Sequence, residues 1–194
     1  NAAGVKVKSV ALADGTSEAS VHFNGVMLDE SQCLAQGDAA MVAFTRAYDE
    51  ALVMTSVELL ALQKAMLNMT LEYLRTRVQF GKPIGSFQAL QHRAVDLLIQ
   101  QELTSSVLSQ ALVMLDDGDT NALERSAMAS RIKARASDAG LLLARESIQL
   151  HGAIGFTDEY DLGLYVQRAL VLSAWLGNAQ AQRRRYASIA NPSI

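Results

Sequence analysis

Two prolines, one cysteine and three histidines are all that this 194-residue chain contains of those types. With prolines only at Pro83 and Pro192, long stretches carry no helix breaker of that kind. The single cysteine, Cys33, excludes an intrachain disulfide and a thiolate metal cluster. His22, His92 and His151 lie far apart in sequence and show no metal-ligand spacing, so no metal site is expected. No apolar run reaches the roughly 18–20 residues that span a bilayer, and no signal-peptide pattern is visible. A basic excess is missing too. The 17 Lys and Arg against 20 Asp and Glu give a net charge of −3, which argues against a nucleic-acid surface. The simplest compartment is a reducing cytoplasm. There is no initiator methionine, and Asn1-Ala2 reads as a tag-cleavage remnant on a fragment of a longer protein.

What is present is a chain that is 50% hydrophobic and 19% charged, enough for one domain, or one and a half, with a real core. Residues 4–12 alternate apolar and polar, as do residues 18–28, with Asp14-Gly15 as a turn between them. This predicts a hairpin or two strands of a larger sheet. Two strands alone are marginal, so they should pack on the helices that follow or on something else. From about residue 38 helix formers dominate. Helical spacing predicts helices over about 38–78, 87–116 and 121–150, then two shorter ones over about 160–174 and 177–189. Phe80-Gly81-Lys82-Pro83 should end the first. Ser86 is the expected N-cap of the second, and Asn121 with Glu124 resembles a capping signal for the third. Ala127, Ala134, Ala136 and Ala139 form a small-residue stripe that reads as core packing. The fold expected is mainly α: an antiparallel up-down helical bundle over 34–194, preceded by a short β segment over 1–33.

Two segments are specific. One is Arg77-Val78-Gln79-Phe80-Gly81-Lys82-Pro83-Ile84-Gly85-Ser86-Phe87-Gln88; the other is Gln149-Leu150-His151-Gly152-Ala153-Ile154-Gly155-Phe156. Together, on a helical background, they resemble the C-terminal half of an acyl-CoA dehydrogenase from about residue 17 to 189. The strands resemble the end of that family's middle β-domain, and the rest its C-terminal bundle. The run Phe87 to His92 is similar to bacterial members that act as the small subunit of heteromeric enzymes on bulky or dicarboxylic acyl-CoAs.

The resemblance implies noncovalent FAD, an acyl-CoA thioester substrate, a homo- or hetero-oligomer (dimer or tetramer), and an electron-transferring flavoprotein as acceptor. It implies α,β-dehydrogenation, in which a base takes the α-proton and hydride leaves the β-carbon for the flavin. Arg77, whose planar fork suits a diphosphate, matches an arginine that reaches the FAD of a neighbouring subunit. Gln79 and Phe80 match positions lining that cofactor, and Gln88 one near its adenosine end. Gln149, Gly152 and Ala153 match residues where backbone approaches FAD. The family commonly has a second glycine where Ala153 stands. His151 reads as structural.

The pattern breaks at the base. The family's aromatic-Glu-Gly-Thr motif matches Trp175-Leu176-Gly177-Asn178, and Leu176 cannot take a proton. Some members carry the glutamate on the first long helix, where the matching position is Ala51. Glu50 is adjacent, about 100° round the helix, and Asp49 is next again; Glu50 is the candidate base if the register shifts. Asn178 and Gln180 match flavin or ribose contacts, and Trp175 is expected to wall the flavin or acyl site. Arg183-Arg184-Arg185 reads as a charged helix end, against a CoA or acidic-partner contact. Two functions follow: a catalytic dehydrogenase subunit, or a non-catalytic subunit that completes a partner's FAD site. A third reading, a helical interaction module without cofactor, is opposed by the two motifs.

Overall fold

The computed structural model describes residues 3–190, so Asn1-Ala2 and residues 191–194, with Pro192, lie outside the described residues. The chain begins with an antiparallel hairpin, β1 (Val5–Ala11) and β2 (Ser17–Phe23), in which Val5 faces Phe23 and Ala11 faces Ser17. Three long helices follow: α1 (Gly37–Thr76), α2 (Gln88–Asp116) and α3 (Ala122–His151). The shorter α4 (Leu162–Ala174) and α5 (Ala179–Ala190) close the chain. Short connections force successive helices to run antiparallel, which gives the expected up-down bundle with α3 packed on the other four helices.

Alternation in the hairpin does not translate into burial. Val7, Val10, Val21 and Phe23 are all exposed. The turn is tied to the bundle: Arg168 of α4 donates to Asp14 (2.8 Å) and, through two nitrogens, to Glu58 of α1 (2.6 and 3.1 Å). The hydrogen bond from Thr16, then that from Arg168, holds the Asp14 carboxyl down at about 2.

α1 ends at Thr76, earlier than expected. The following residues are not plain loop. Val78–Gln79 (β3) pairs with Lys82–Pro83 (β4) around Phe80 (φ 54) and Gly81 (φ 79). Positive φ at both central residues is the twist that a two-residue hairpin needs. Ser86 does not cap α2. A single 3-10 turn, Ile84–Ser86, intervenes, and the Ser86 hydroxyl donates back to the Pro83 carbonyl, leaving Phe87 at the N-cap without a side-chain bond. Asn121 does cap α3, accepting from the Glu124 backbone N–H at 2.9 Å.

Beside a small cluster of Leu59, Ala136 and Leu172, the core has two larger apolar clusters. One, around Met66, Leu97, Leu143 and Leu162, lies toward the C-terminal end of α1. The other, around Leu52, Leu108, Met128 and Ile132, lies toward its N-terminal end. Between them runs a polar waist in which Gln63 donates to the Ala136 carbonyl (3.1 Å) and Lys133 lies fully buried. Of the alanine stripe, Ala134, Ala136 and Ala139 are buried and Ala127 is half-buried, and at Gly140 a Cβ would stand 3.3 Å from Leu59.

Candidate functional site

The end of α1 and the end of α3 meet at one pole of the bundle. Arg77 and Gln79 follow α1; Gln149 lies in the last turn of α3, and Gly152 and Ala153 follow it. All five line one cleft of about 580 Å³, together with Arg93 of α2. Gly152 has φ +66, with nothing within 4 Å of where a Cβ would stand. Glycine is therefore suited there by its left-handed backbone at the helix end rather than by lack of space. Space is decisive instead at Gly85, where a Cβ would lie 2.8 Å from the Leu74 carbonyl oxygen, and that contact seats the hairpin motif on α1.

Electrostatics distinguish the two arginines of this cleft. Arg93 is tied to Glu146, and its hydrogen bond is the main reason the Glu146 carboxyl sits below its usual range. Arg77 is exposed and forms no ion pair among the described residues. A free guanidinium with two primary amides beside it, Gln79 and Gln149, is a donor set that fits a diphosphate. His151 floors the cleft. It is buried between Tyr73 (centroids 4.6 Å) and Tyr160 (5.1 Å), and its Nδ1 donates to the Ser147 carbonyl at 2.7 Å. Burial lowers its pKa, which favours the neutral ring. The sequence offered no signal for Arg93 or Tyr73, because neither belongs to a motif.

Two motif residues stay outside this cleft. Phe80 is 91% exposed at the hairpin tip, edge-on to Phe87 at 6.1 Å. Gln88 is exposed in the first turn of α2. Asn178 and Gln180 are also elsewhere, lining a groove beside Asp138 and Arg183. The Asn178 side chain accepts from the Ala181 N–H at 2.9 Å, so it caps α5. Some 25 residues of α1 separate Tyr48, which touches Leu176, from Tyr73, which stacks on His151. At 1.5 Å per residue the two poles are roughly 38 Å apart.

A second cleft, of about 770 Å³, opens between the hairpin turn, α1 and the end of α4. Ala51, the position that the register count gave, and Trp175 line it. Glu50 does not line it and instead bonds Arg46 at 2.9 Å. Asp49 is 1% exposed and accepts from Arg185 (2.6 Å) and from the Ser126 hydroxyl, inside the bundle. The arginine run is therefore not simply a charged helix end. Arg185 is a core tie, and Arg183 pairs with Asp138. Leu176 packs against the second apolar cluster beside Tyr48. Two carboxylates do line this cleft. Glu58 is engaged by Arg168; Glu18 of β2, which the sequence did not single out, forms no ion pair among the described residues. No helix is long and apolar enough to cross a membrane among the described residues, and no group of three potential metal ligands occurs among them.

Comparison with known proteins gives a consistent result. Residues 40–190 match the family described as "Acyl-CoA dehydrogenase, C-terminal domain". The chain is 35% identical to the acyl-CoA dehydrogenase IpdE2 of Mycolicibacterium smegmatis over 137 residues, which are 71% of this chain and 41% of that protein. It is 30% identical to the acyl-CoA dehydrogenase FadE27 of Mycobacterium tuberculosis over 186 residues, 94% of this chain and 49% of that protein. In structure it resembles a chain of the ChsE4-ChsE5 complex from Mycobacterium tuberculosis with a TM-score of 0.85 and 26% identity, over 97% of this chain and 50% of that one. The chain thus spans half or less of the length of these relatives.

Proposed function

The chain belongs to the acyl-CoA dehydrogenase family, and from that premise we propose that it supplies the C-terminal half of an FAD-dependent acyl-CoA dehydrogenase subunit. The observation that carries this reading is the meeting of Arg77 and Gln79 with Gln149, Gly152 and Ala153 in one cleft, from segments on either side of α2. Arg77 would hold the FAD diphosphate of a neighbouring subunit, with the Gln79 and Gln149 amides orienting it. The open space over Gly152 leaves room for a ligand beside the backbone. Phe80, exposed at the hairpin tip, and Gln88 would contact the same cofactor from outside the cleft. At the other pole Trp175 would wall the acyl site, and Asn178 and Gln180 would border a flavin. Bound flavin would take the hydride that leaves the acyl β-carbon. The exposed faces of the β1–β2 hairpin fit the end of a larger β-domain, with the helical domain beginning near residue 34.

The α-proton is the difficulty. Removing it needs a positioned base, and positions 51 and 176 hold Ala51 and Leu176. Glu50 faces away and is paired with Arg46. These observations favour a second reading, a non-catalytic subunit that completes a partner's FAD site. The resemblance to a chain of a two-component complex supports a heteromer. An electron-transferring flavoprotein is the proposed acceptor on family grounds. The exposed free thiol of Cys33 suits a reducing cytoplasm.

Anaerobic titration of the full-length protein with a panel of acyl-CoAs, alone and with its partner subunit, tests both readings. Flavin bleaching by the protein alone supports the catalytic reading, and Glu50→Gln and Glu18→Gln then identify the base. Bleaching only with the partner supports the non-catalytic one. No bound flavin in either preparation would refute both. Leu176→Glu should give bleaching without the partner if the base is all that is missing.

A further inference from the structure

Leu176 and Gly177 form the turn between α4 and α5, and both have left-handed backbones (φ 57 and 92). For leucine this is an unfavourable conformation that the surroundings must impose. Three side chains from three helices supply the restraint. Tyr48 of α1 donates to the Leu176 carbonyl at 2.6 Å, and Gln182 of α5 donates to the same oxygen at 2.6 Å. Lys133 of α3 donates to the carbonyls of Gly177 and Ser173, both at 3.3 Å, and to the Ser137 hydroxyl at 2.9 Å.

Lys133 is 0% exposed, and no carboxylate pairs with it among the described residues. Its three N–H donors meet three neutral acceptors: the Ser137 hydroxyl, the Ser173 carbonyl in the last turn of α4 and the Gly177 carbonyl of the turn that follows. A buried ammonium is costly for a fold unless something specific requires it. A methionine of similar length would fill the same space without that cost. What lysine does here, and methionine could not, is bind the two carbonyls that set the path of residues 173–177. Trp175 lies inside that path, and the same turn carries the position that matches the family's base.

We propose that Lys133, with Tyr48, is a positioning residue that locks the 173–177 turn and so fixes the wall of the second cleft at Trp175. Its role in turnover rests on the dehydrogenase reading above; its role in holding the turn does not. Gln182 makes the lock rigid, since its Nε2 also donates to the Tyr48 hydroxyl at 3.0 Å. Gly177 suits the place beneath it, because its φ of +92 favours glycine and a Cβ there would press on that nitrogen at 3.1 Å.

The test uses the full-length protein with its partner, as Lys133→Met, Tyr48→Phe and the double variant. Hydrogen exchange read by mass spectrometry reports the amides of 174–178 against those of the α3 core around Ile132 and Leu143. Exchange at the turn should rise roughly tenfold in each single variant, the scale of a lost hydrogen bond to a backbone carbonyl, with core exchange unchanged. The rate of flavin reduction by acyl-CoA should fall while flavin content holds. Unchanged exchange at the turn would overturn the lock, and so would a rise spread evenly through α3. Faster exchange with an unchanged reduction rate would overturn its role at the cleft. Absence of flavin from the wild type would sink the dehydrogenase reading, while the exchange comparison still decides the lock. Should Lys133→Met fail to fold, Tyr48→Phe alone decides, because it removes only one hydroxyl, with its bonds to Leu176 and Gln182, from the same turn.

Discussion

Replacing Asp49 by alanine separates a structural carboxylate from a chemical one. Asp49 was a conceivable source of the missing base, yet it is 1% exposed and receives the Arg185 guanidinium at 2.6 Å and the Ser126 hydroxyl. Arg185 also lies over the Tyr48 ring, 5.1 Å from its centroid, so the pair buttresses the side chain that grips Leu176. Removing one partner of a buried pair costs about 3–5 kcal/mol, because the other charge is left uncompensated. Here the Arg185 side chain keeps 23% exposure and its bond to the Ser130 hydroxyl (2.8 Å), and both soften the loss. The expected destabilisation is about 2–3 kcal/mol. For a domain of this size that lowers the melting temperature by roughly 4–12 °C. Thermal unfolding followed by circular dichroism at 222 nm reads it, with flavin reduction measured well below the transition. A loss under about 0.5 kcal/mol, within the range of ordinary surface changes, together with abolished flavin reduction, would make Asp49 a chemical group rather than a structural one.

Two further predictions concern pH. Desolvation brings Lys133 down to about 8 from its ordinary 10.5, so the folded state binds its proton less tightly than the unfolded chain. Its cost is complete below pH 8 and is relieved as pH rises from about 8 to 10.5; this rise in stability should vanish in Lys133→Met, and a matching rise in the variant would contradict the assignment. Asp14 is held at about 2, below its ordinary 3.8, so its tie between hairpin and bundle is complete above pH 4 and lost as pH falls toward 2. Hydrogen exchange of β1 and β2 should then increase over that window in the wild type, and Asp14→Asn should remove the pH dependence; an unchanged profile in the variant would show that another group loosens the hairpin.

The helices were legible because their apolar positions repeat at helical spacing and turn residues separate them. Ser86 misled because a serine before a helix looks like a cap whether or not its hydroxyl turns back to Pro83. The β3–β4 hairpin was hidden in a motif read as a helix stop; only the positive φ at Phe80 and Gly81 shows it. At the site, the motifs singled out Arg77 and Gln149, which line one cleft, and the count from Arg77 gave position 51, which lines the other. Asp49 could not be assigned in the same way, since its partner Arg185 is far along the chain and the arginine run looks solvated. Lys133 was invisible for a related reason. Its ligands are backbone carbonyls and a serine, which leave no pattern of charge in the sequence.

FAD held in the cleft of Arg77 and Gln149 is read by the flavin stoichiometry of the purified full-length assembly, wild type against Arg77→Ala and Gln149→Ala. Arg77 is exposed and unpaired among the described residues, so its loss should leave the melting temperature of the apoprotein within about 1 °C, in keeping with a surface change. Flavin is expected in the wild type, with at least roughly tenfold weaker retention in Arg77→Ala, the scale of a lost charge-assisted bond. Full flavin occupancy at wild-type affinity in both variants would mean that FAD is held elsewhere.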